Sequence, residues 1–369
     1  MTIRLSLPER SDARPHVVGT GLLALDVLLG EDRTSVRAEL GGSAGNVLAI
    51  LAFLGWSSAP VARLGDDVAG RRIRREFEVL RADTRFIKHE DHAHTPVVYQ
   101  WPGNHECTHR FSFSCPFCGQ KRGFAAEVGD AYCRTVLRQI ERPDVFYFDR
   151  VTDWSLNLAD NYRSRGALVV FEPSAVAVSA SDFQRAIDAC HILKYADERI
   201  TELAAFDCSD VEVVIQTLGA QGLRFRVASD MPQGSWRTLA AFSVPRVTDT
   251  AGAGDWCTAG LLYALHGARS SRELNTPTLA ASLRFGQALA ALNCMHSGAR
   301  GLARYEARDK LLALADLMEG RDPDAIWEAG DWRDAYESAQ AVGRSSYSGV
   351  GLHISPRKPA KLCCELFPV

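Results

Sequence analysis

The chain has 369 residues, is 46% hydrophobic and 24% charged, and carries a formal net charge of -3 at pH 7. That length and composition suit one large α/β domain or two domains. The charge supplies no global basic field for nucleic acid, the apolar stretches fall far below a membrane span, and the first residues lack a signal-peptide core. A cytoplasmic protein with neither a nucleic-acid nor a membrane partner is expected. Ten cysteines in a chain this long make no disulfide scaffold, so thiols or metal ligands are expected.

No internal repeat of solenoid period is present. His16–Gly21 reads as a short strand running into glycines. Gly19-Thr20-Gly21-Leu22-Leu23-Ala24 matches the dinucleotide pattern G-x-G-x-x-A. That pattern needs a helix at the glycines, a second strand and then an acid. Leu28–Asp32 and the glycine cluster at 41–45 interrupt such a layout. Asp26 stands just past the strand, a grip for sugar hydroxyls or a solvated carboxylate. Gly41-Gly42-Ser43-Ala44-Gly45-Asn46 opens a helix expected over 44–55. Its small residues let a ligand approach the backbone, and Asn46 both donates and accepts, which suits a polyhydroxylated ligand. A plain glycine turn explains the same residues.

A strand is expected at 59–64 and an amphipathic helix at 68–80, with Ile73, Phe77 and Leu80 on one face. In Gly65-Asp66-Asp67-Val68-Ala69-Gly70 between them, either aspartate is a good helix cap. Residues 94–114 alternate polar and aromatic residues without a helix and are expected as strands outside the main sheet. Apolar runs at 145–148, 167–171 and 191–194 then alternate with helical patterns at 130–141, 153–165 and 182–189. Such alternation predicts a parallel sheet with helices on its faces. Residues 211–217 and 223–227 flank a turn with Gly219 and Gly222 and read as a hairpin. Helices are expected at 255–267, 277–295 and 306–318, and residues 319–369 as an extension that wraps the core or is partly disordered.

The stretch richest in chemistry is Asp249-Thr250-Ala251-Gly252-Ala253-Gly254-Asp255, followed at once by an apolar helical run. Its small residues admit a ligand to the backbone, and the first N–H groups of the helix suit an anion. Asp255 stands at the mouth of that anion site. It is either a helix cap or a general base beside a phosphate about to be transferred.

Taken together these motifs resemble the ribokinase-like (PfkB-type) carbohydrate kinase family, over about residues 16–318. The heptapeptide looks like the family's D-T-x-G-A-G-D signature. Gly41, Gly42 and Asn46, then Gly65, Asp67 and Gly70, follow in the expected order, and Thr217, Gly219 and Gly222 resemble the T-x-G-x-x-G turn near the nucleotide. Lys194-Tyr195-Ala196-Asp197-Glu198 falls where the family often has N-x-x-E, with Lys194 at the Asn place. The resemblance implies a three-layer α/β/α sandwich with a mostly parallel sheet and a small β-lid, drawn from about residues 28–40 and 94–114. It implies transfer of the ATP γ-phosphate to a hydroxyl of a sugar or sugar derivative. Asp255 would be the base and Gly252, Ala253 and Gly254 the anion hole, with Asp26, Gly41, Gly42, Asn46 and Asp67 facing the substrate. Lys194, Thr217, Gly219, Gly222, Asp249, Ala251 and Asn293 would lie toward the nucleotide, and Glu198 would order magnesium through water. A nucleoside kinase of the same fold is the alternative within the class. Outside it stands a kinase-like protein that binds a sugar or partner without turnover. Pairing of exposed lid edges would make a homodimer.

One segment lies outside that pattern. Cys115-Pro116-Phe117-Cys118-Gly119 looks like half of a zinc knuckle, and Cys107 with His109 or His105 would complete four ligands for a structural Zn2+ within an insert at 105–120. Free cysteines in a turn explain the same spacing.

Overall fold

Short runs that are apolar on both faces build the centre of the molecule. The computed structural model describes residues 14–29, 36–102, 109–124, 129–230, 235–268 and 274–319. Its strands are β1 (His16–Thr20), β2 (Ala24–Leu29), β3 (Val36–Gly41), β4 (Ser57–Gly65), β5 (Ile87–Glu90), β6 (Val97–Pro102) and β7 (His109–Ser112) in the first part of the chain. β8 (Val145–Phe148), β9 (Leu168–Phe171), β10 (Ile192–Ala196), β11 (Val213–Thr217), β12 (Leu223–Val227) and β13 (Arg237–Leu239) follow. The helices are α1 (Ser43–Phe53), α2 (Val68–Val79), α3 (Asp130–Gln139), α4 (Asp153–Ser164), α5 (Ala180–Ala189), α6 (Ala253–Ala268), α7 (Thr276–Cys294), α8 (Gly301–Tyr305) and α9 (Arg308–Glu319).

The main sheet has nine strands in the order β13-β12-β11-β10-β9-β8-β1-β4-β5. It is parallel from β5 to β11, and β12 and β13 add antiparallel at one edge. Side chains alternate between the faces. Val17 and Tyr147 enter the layer built with α1, α2, α6, α7 and α9, whereas Val18, Phe146 and Phe148 enter the layer built with α3, α4 and α5. This is the three-layer sandwich, and it explains why the central strands read as continuous apolar runs.

A second sheet, in the order β3-β2-β6-β7, lies apart from the first. Its strand β2 begins at Ala24, earlier than the expected 28–40, so Asp26 belongs to a strand of this smaller sheet rather than to a loop past β1. Leu25, Val27 and Leu29 join the main core, while Ala24 packs on the opposite face with Leu22 and Val98. Burial on both faces removes the alternation that would have marked the strand. The chain reaches β2 through a turn at Gly21 (φ 136°), where a Cβ would collide with the Asp149 carboxylate. The Leu22 N–H donates to Asp149 Oδ1 at 2.8 Å. No helix opens at these glycines, which removes the dinucleotide pattern.

β5 and β13 add sheet edges that the sequence periodicity does not mark, the helix expected at 306–318 is α9, and the short α8 precedes it without a sequence expectation. Among the described residues no helix is long and apolar enough to cross a membrane. Residues 320–369 lie outside the described residues.

Candidate active site

The parallel strands deliver their carboxyl ends to one side of the sheet, where ligands bind in open α/β folds. There the loop 249–254 meets the N-terminus of α6. Asp249 is buried and its two oxygens hold the loop. Oδ1 accepts from the Ala251 N–H at 2.9 Å, and Oδ2 accepts from the Gly298 N–H at 2.8 Å and from Gln100 Nε2 of β6 at 3.1 Å. Asp249, expected toward the nucleotide, is thus a clamp joining loop, smaller sheet and the segment after α7. The same bonds correct the role expected of Ala251, because its N–H is already taken. The Ala253 N–H turns to the Thr250 carbonyl at 3.2 Å. Among the described residues the N–H groups of Gly252 and Gly254 meet no backbone acceptor. Gly252 has φ 76°, and a Cβ there would collide with the Ala299 carbonyl.

Asn293 was expected toward the nucleotide. Its amide instead donates to the Ala251 carbonyl at 2.9 Å and accepts from the Leu302 N–H at 3.1 Å. Both ends of a buried side chain are spent on the backbone, so Asn293 supports the loop from behind.

Asp255, in the first turn of α6, is partly buried and accepts a hydrogen bond from Asn46 Nδ2 at 2.8 Å. Burial, reinforced by the Glu172 carboxylate, pushes its carboxyl up to about 7, against the lowering effects of the Asn46 bond, Lys194 and Arg199. Asn46 is itself buried, and its Oδ1 meets no donor among the described residues. Gly42 caps α1 with φ 79°, and a Cβ there would collide with the Leu22 carbonyl. Gly41 makes room for Asp26, since a Cβ there would fall on its carboxylate. Asp26 is buried, and burial first, then Glu39, raises its pKa well above the usual carboxylate range. Asp26, Gly41, Gly42, Asn46 and Asp255 are therefore brought together.

Asp67 is not among them. Its carboxylate caps α2, with Oδ1 accepting from the Gly70 N–H at 2.8 Å, and Oδ2 accepts from the Thr95 N–H at 3.1 Å and faces Arg122 at 3.5 Å. It is fully buried, so it anchors α2 to the start of β6 rather than facing a substrate. Asp67→Ala is expected to destabilise the fold by about 3 kcal/mol, from a lost cap and a buried charge left short of its partner. Urea denaturation measures that loss. The folded fraction should keep its KM for acceptor within about threefold, whereas a substrate-gripping Asp67 would raise that KM far more.

Of the residues expected toward the nucleotide, Thr217 ends β11, and Gly219 (φ 56°) and Gly222 (φ 98°) shape the turn into β12. Asp197 and Glu198 are exposed on the turn after β10. Lys194 takes a different place from the one expected. It is buried, paired with Glu172, and donates to the Gly254 carbonyl at 3.2 Å. Glu172 went unnoticed in the sequence. Its signal was a carboxylate directly after an apolar strand and before Pro173.

Cys115 is buried and Cys118 exposed, in a turn where Gly119 (φ 76°) donates its N–H to the Cys115 carbonyl at 2.8 Å. Cys107 and the side chain of His109 lie outside the described residues. Among the described residues no group of three or more His, Cys, Asp or Glu is placed to hold a metal ion.

Residues 155–304, the segment that includes the loop and α6, match the model of the pfkB family carbohydrate kinases. Solved structures share the fold over most of their length. A nucleoside kinase from Burkholderia thailandensis in complex with inosine is 16% identical at a TM-score of 0.63, covering 83% of this chain and 98% of that one. The fold is ribokinase-like. A Vibrio cholerae fructokinase bound to fructose, ADP and potassium is similar to this ribokinase-like chain at 19% identity and a TM-score of 0.62, with 83% and 100% covered. Arabidopsis thaliana ribokinase with ribose and ATP is similar at 18% identity and a TM-score of 0.61, with 82% and 99% covered. Comparison with curated protein sequences gives no match.

Proposed function

We propose that this ribokinase-like chain transfers the γ-phosphate of ATP to a hydroxyl of a sugar or sugar derivative. The observation that carries the proposal is Asp255. A carboxylate that titrates near 7 stands at the mouth of a helix N-terminus whose loop, among the described residues, keeps the Gly252 and Gly254 N–H groups free of backbone acceptors. A carboxylate in that place repels a resting anion, and its raised pKa suits a group that takes up a proton in the reaction. Asp255 takes the proton of the acceptor hydroxyl as its oxygen bonds to the γ-phosphorus. The bond from that phosphorus to the β–γ bridging oxygen breaks, and ADP leaves. The two N–H groups stabilise charge on the transferring phosphoryl group, an effect commonly worth about a hundredfold or more in rate per donor.

Asn46 orients Asp255 with its amide N–H and offers Oδ1 to an acceptor hydroxyl, and Asp26 offers a second acceptor. Asp197 and Glu198 are exposed oxygen donors of the kind that hold magnesium through water. Magnesium, when bound, supplies positive charge to the phosphates.

A nucleoside acceptor is favoured by one observation. Phe113 and Phe124 pack with Leu22, Ala24 and Val98 on the face of the smaller sheet opposite to the main core, the face that Asp26 shares with Ala24. Two phenyl rings beside a carboxylate suit a flat base carried on a sugar.

The test is ADP formation from ATP over a panel of free sugars, sugar phosphates and nucleosides. Acceptor-dependent ADP formation is expected, with kcat/KM falling as pH drops through about 7, because the base must be ionised to act. Tight binding of an acceptor with no ADP formed at any pH would instead mark a silent binder.

A further inference from the structure

Beneath the loop before α6 the chain buries polar side chains that the proposed transfer does not use. Glu172, just after β9, is met from three elements. The Lys194 ammonium reaches it from β10, the Thr258 hydroxyl of α6 donates to its Oε2 at 2.6 Å, and the Tyr147 hydroxyl of β8 donates to the same oxygen at 3.2 Å. Lys194 is 2% exposed, and the only backbone group it holds among the described residues is the Gly254 carbonyl. A Cβ on Gly254 would stand 3.7 Å from Lys194 Nζ and 3.8 Å from Glu172 Oε1, so the pair lies directly under the residue before Asp255.

A buried lysine needs a counter-charge and a buried glutamate needs donors, so neither is retained cheaply without the other. A neutral residue at position 194 would need no Glu172. Keeping both charges places a cation and an anion against the two parts of the site that must be fixed, the Gly254 backbone and the Asp255 carboxylate.

We propose that Glu172 and Lys194 are positioning residues for phosphotransfer: the pair fixes the first turn of α6 and balances the charge against which Asp255 takes up a proton. The inference rests on Asp255 being the base. The groups that face Asp255 are Asn46 from α1, Asp26 from β2, Tyr147 from β8, Glu172 after β9, and Lys194 and Arg199 from β10 and the turn after it. Burial raises Asp255 most, Glu172 adds to it, and Lys194 opposes it. Burial pulls the Lys194 ammonium down, and Glu172, with Cys257 and Asp255, together bring it above its ordinary value. The two members of the pair therefore act on Asp255 in opposite directions, and the Lys194 bond to the Gly254 carbonyl adds a fixed geometry that the two charges alone do not supply.

The test compares wild type, Glu172→Gln, Lys194→Met and the double variant. The midpoint of the acidic limb of kcat/KM is followed together with direct NMR titration of Asp255 in carboxyl-labelled protein. Glu172→Gln is expected to move the midpoint down by about one pH unit and Lys194→Met to move it up by about as much. The double variant should return close to the wild-type midpoint while kcat stays about tenfold lower, because the Gly254 carbonyl has lost the Lys194 ammonium and keeps only the Thr258 hydroxyl as a side-chain donor among the described residues. The double variant removes both charges at once and carries the test where a single variant does not fold. Folded variants with wild-type kcat and an unmoved midpoint overturn the inference, as do single variants that move the midpoint in the same direction. If phosphate is transferred and the titration is unmoved, this inference fails alone. If wild type transfers phosphate to no acceptor, the base assignment fails and takes the positioning role with it.

Discussion

Asp255→Asn is expected to lower kcat for phosphotransfer by about 10³-fold while the Kd for ATP changes less than about threefold. Asparagine fills the same space and still accepts from Asn46, but it takes up no proton. The loss is then that of a positioned base, commonly 10²- to 10⁴-fold. The same substitution has a second consequence of opposite sign. Asp255 titrates near 7 in the folded chain against an ordinary value of 3.8, raised first by burial and then by Glu172. A group raised in this way contributes stability that is fully present below its unfolded value and is lost as pH rises through its folded value. Asp255→Asn should therefore be more stable than wild type at pH 8, by about 1–2 kcal/mol, and the gap should narrow as pH falls toward 4. Thermal melts of both proteins at the two pH values measure this. A variant less stable than wild type at pH 8 would mean that the carboxylate is comfortable where it stands.

Gly252→Ala is expected to damage fold and activity together, and Gly254→Ala neither. At Gly252 the backbone has φ 76°, and an added methyl meets the Ala299 carbonyl, which is backbone and also accepts from Trp256 Nε1 at 3.1 Å. Relief requires moving the loop or the segment after α7, which Asp249 ties together through Gly298. A cost of about 3 kcal/mol and a fall in kcat of about a hundredfold or more are expected, since the aim of the loop N–H groups is lost. At Gly254 the nearest atoms lie at 3.7 and 3.8 Å, ordinary contact distances, and the residue is already helical. Alanine there should leave stability within about 1 kcal/mol of wild type. Urea denaturation with steady-state kinetics separates the two; equal behaviour of the two variants would deny the loop its special geometry.

The sandwich was readable because parallel strands covered on both faces become apolar runs such as 145–148 and 167–171, with helical periods between them. The loop before α6 was readable because few other stretches combine three small residues with an acid at a helix start. β2 escaped notice for the physical reason that both its faces are covered, which hid Asp26 inside a strand. Asp67 shows the limit of spacing as a guide. Its cap to Gly70 is local and visible in the sequence, but its bonds to Thr95 and Arg122 are long-range and decide that it anchors rather than binds. Glu172 and the clamp from Asp249 to Gln100 and Gly298 depend on residues more than 20 positions apart, and no local pattern carries them.

The most direct measurement follows the labelled γ-phosphate of ATP in a single turnover with each acceptor of the panel, for wild type and for Asp255→Asn. Label on an acceptor hydroxyl with wild type, and its near-complete loss with Asp255→Asn, is the expected result. Label released only to water, or transfer by Asp255→Asn at the wild-type rate, would contradict a phosphotransfer site built on Asp255.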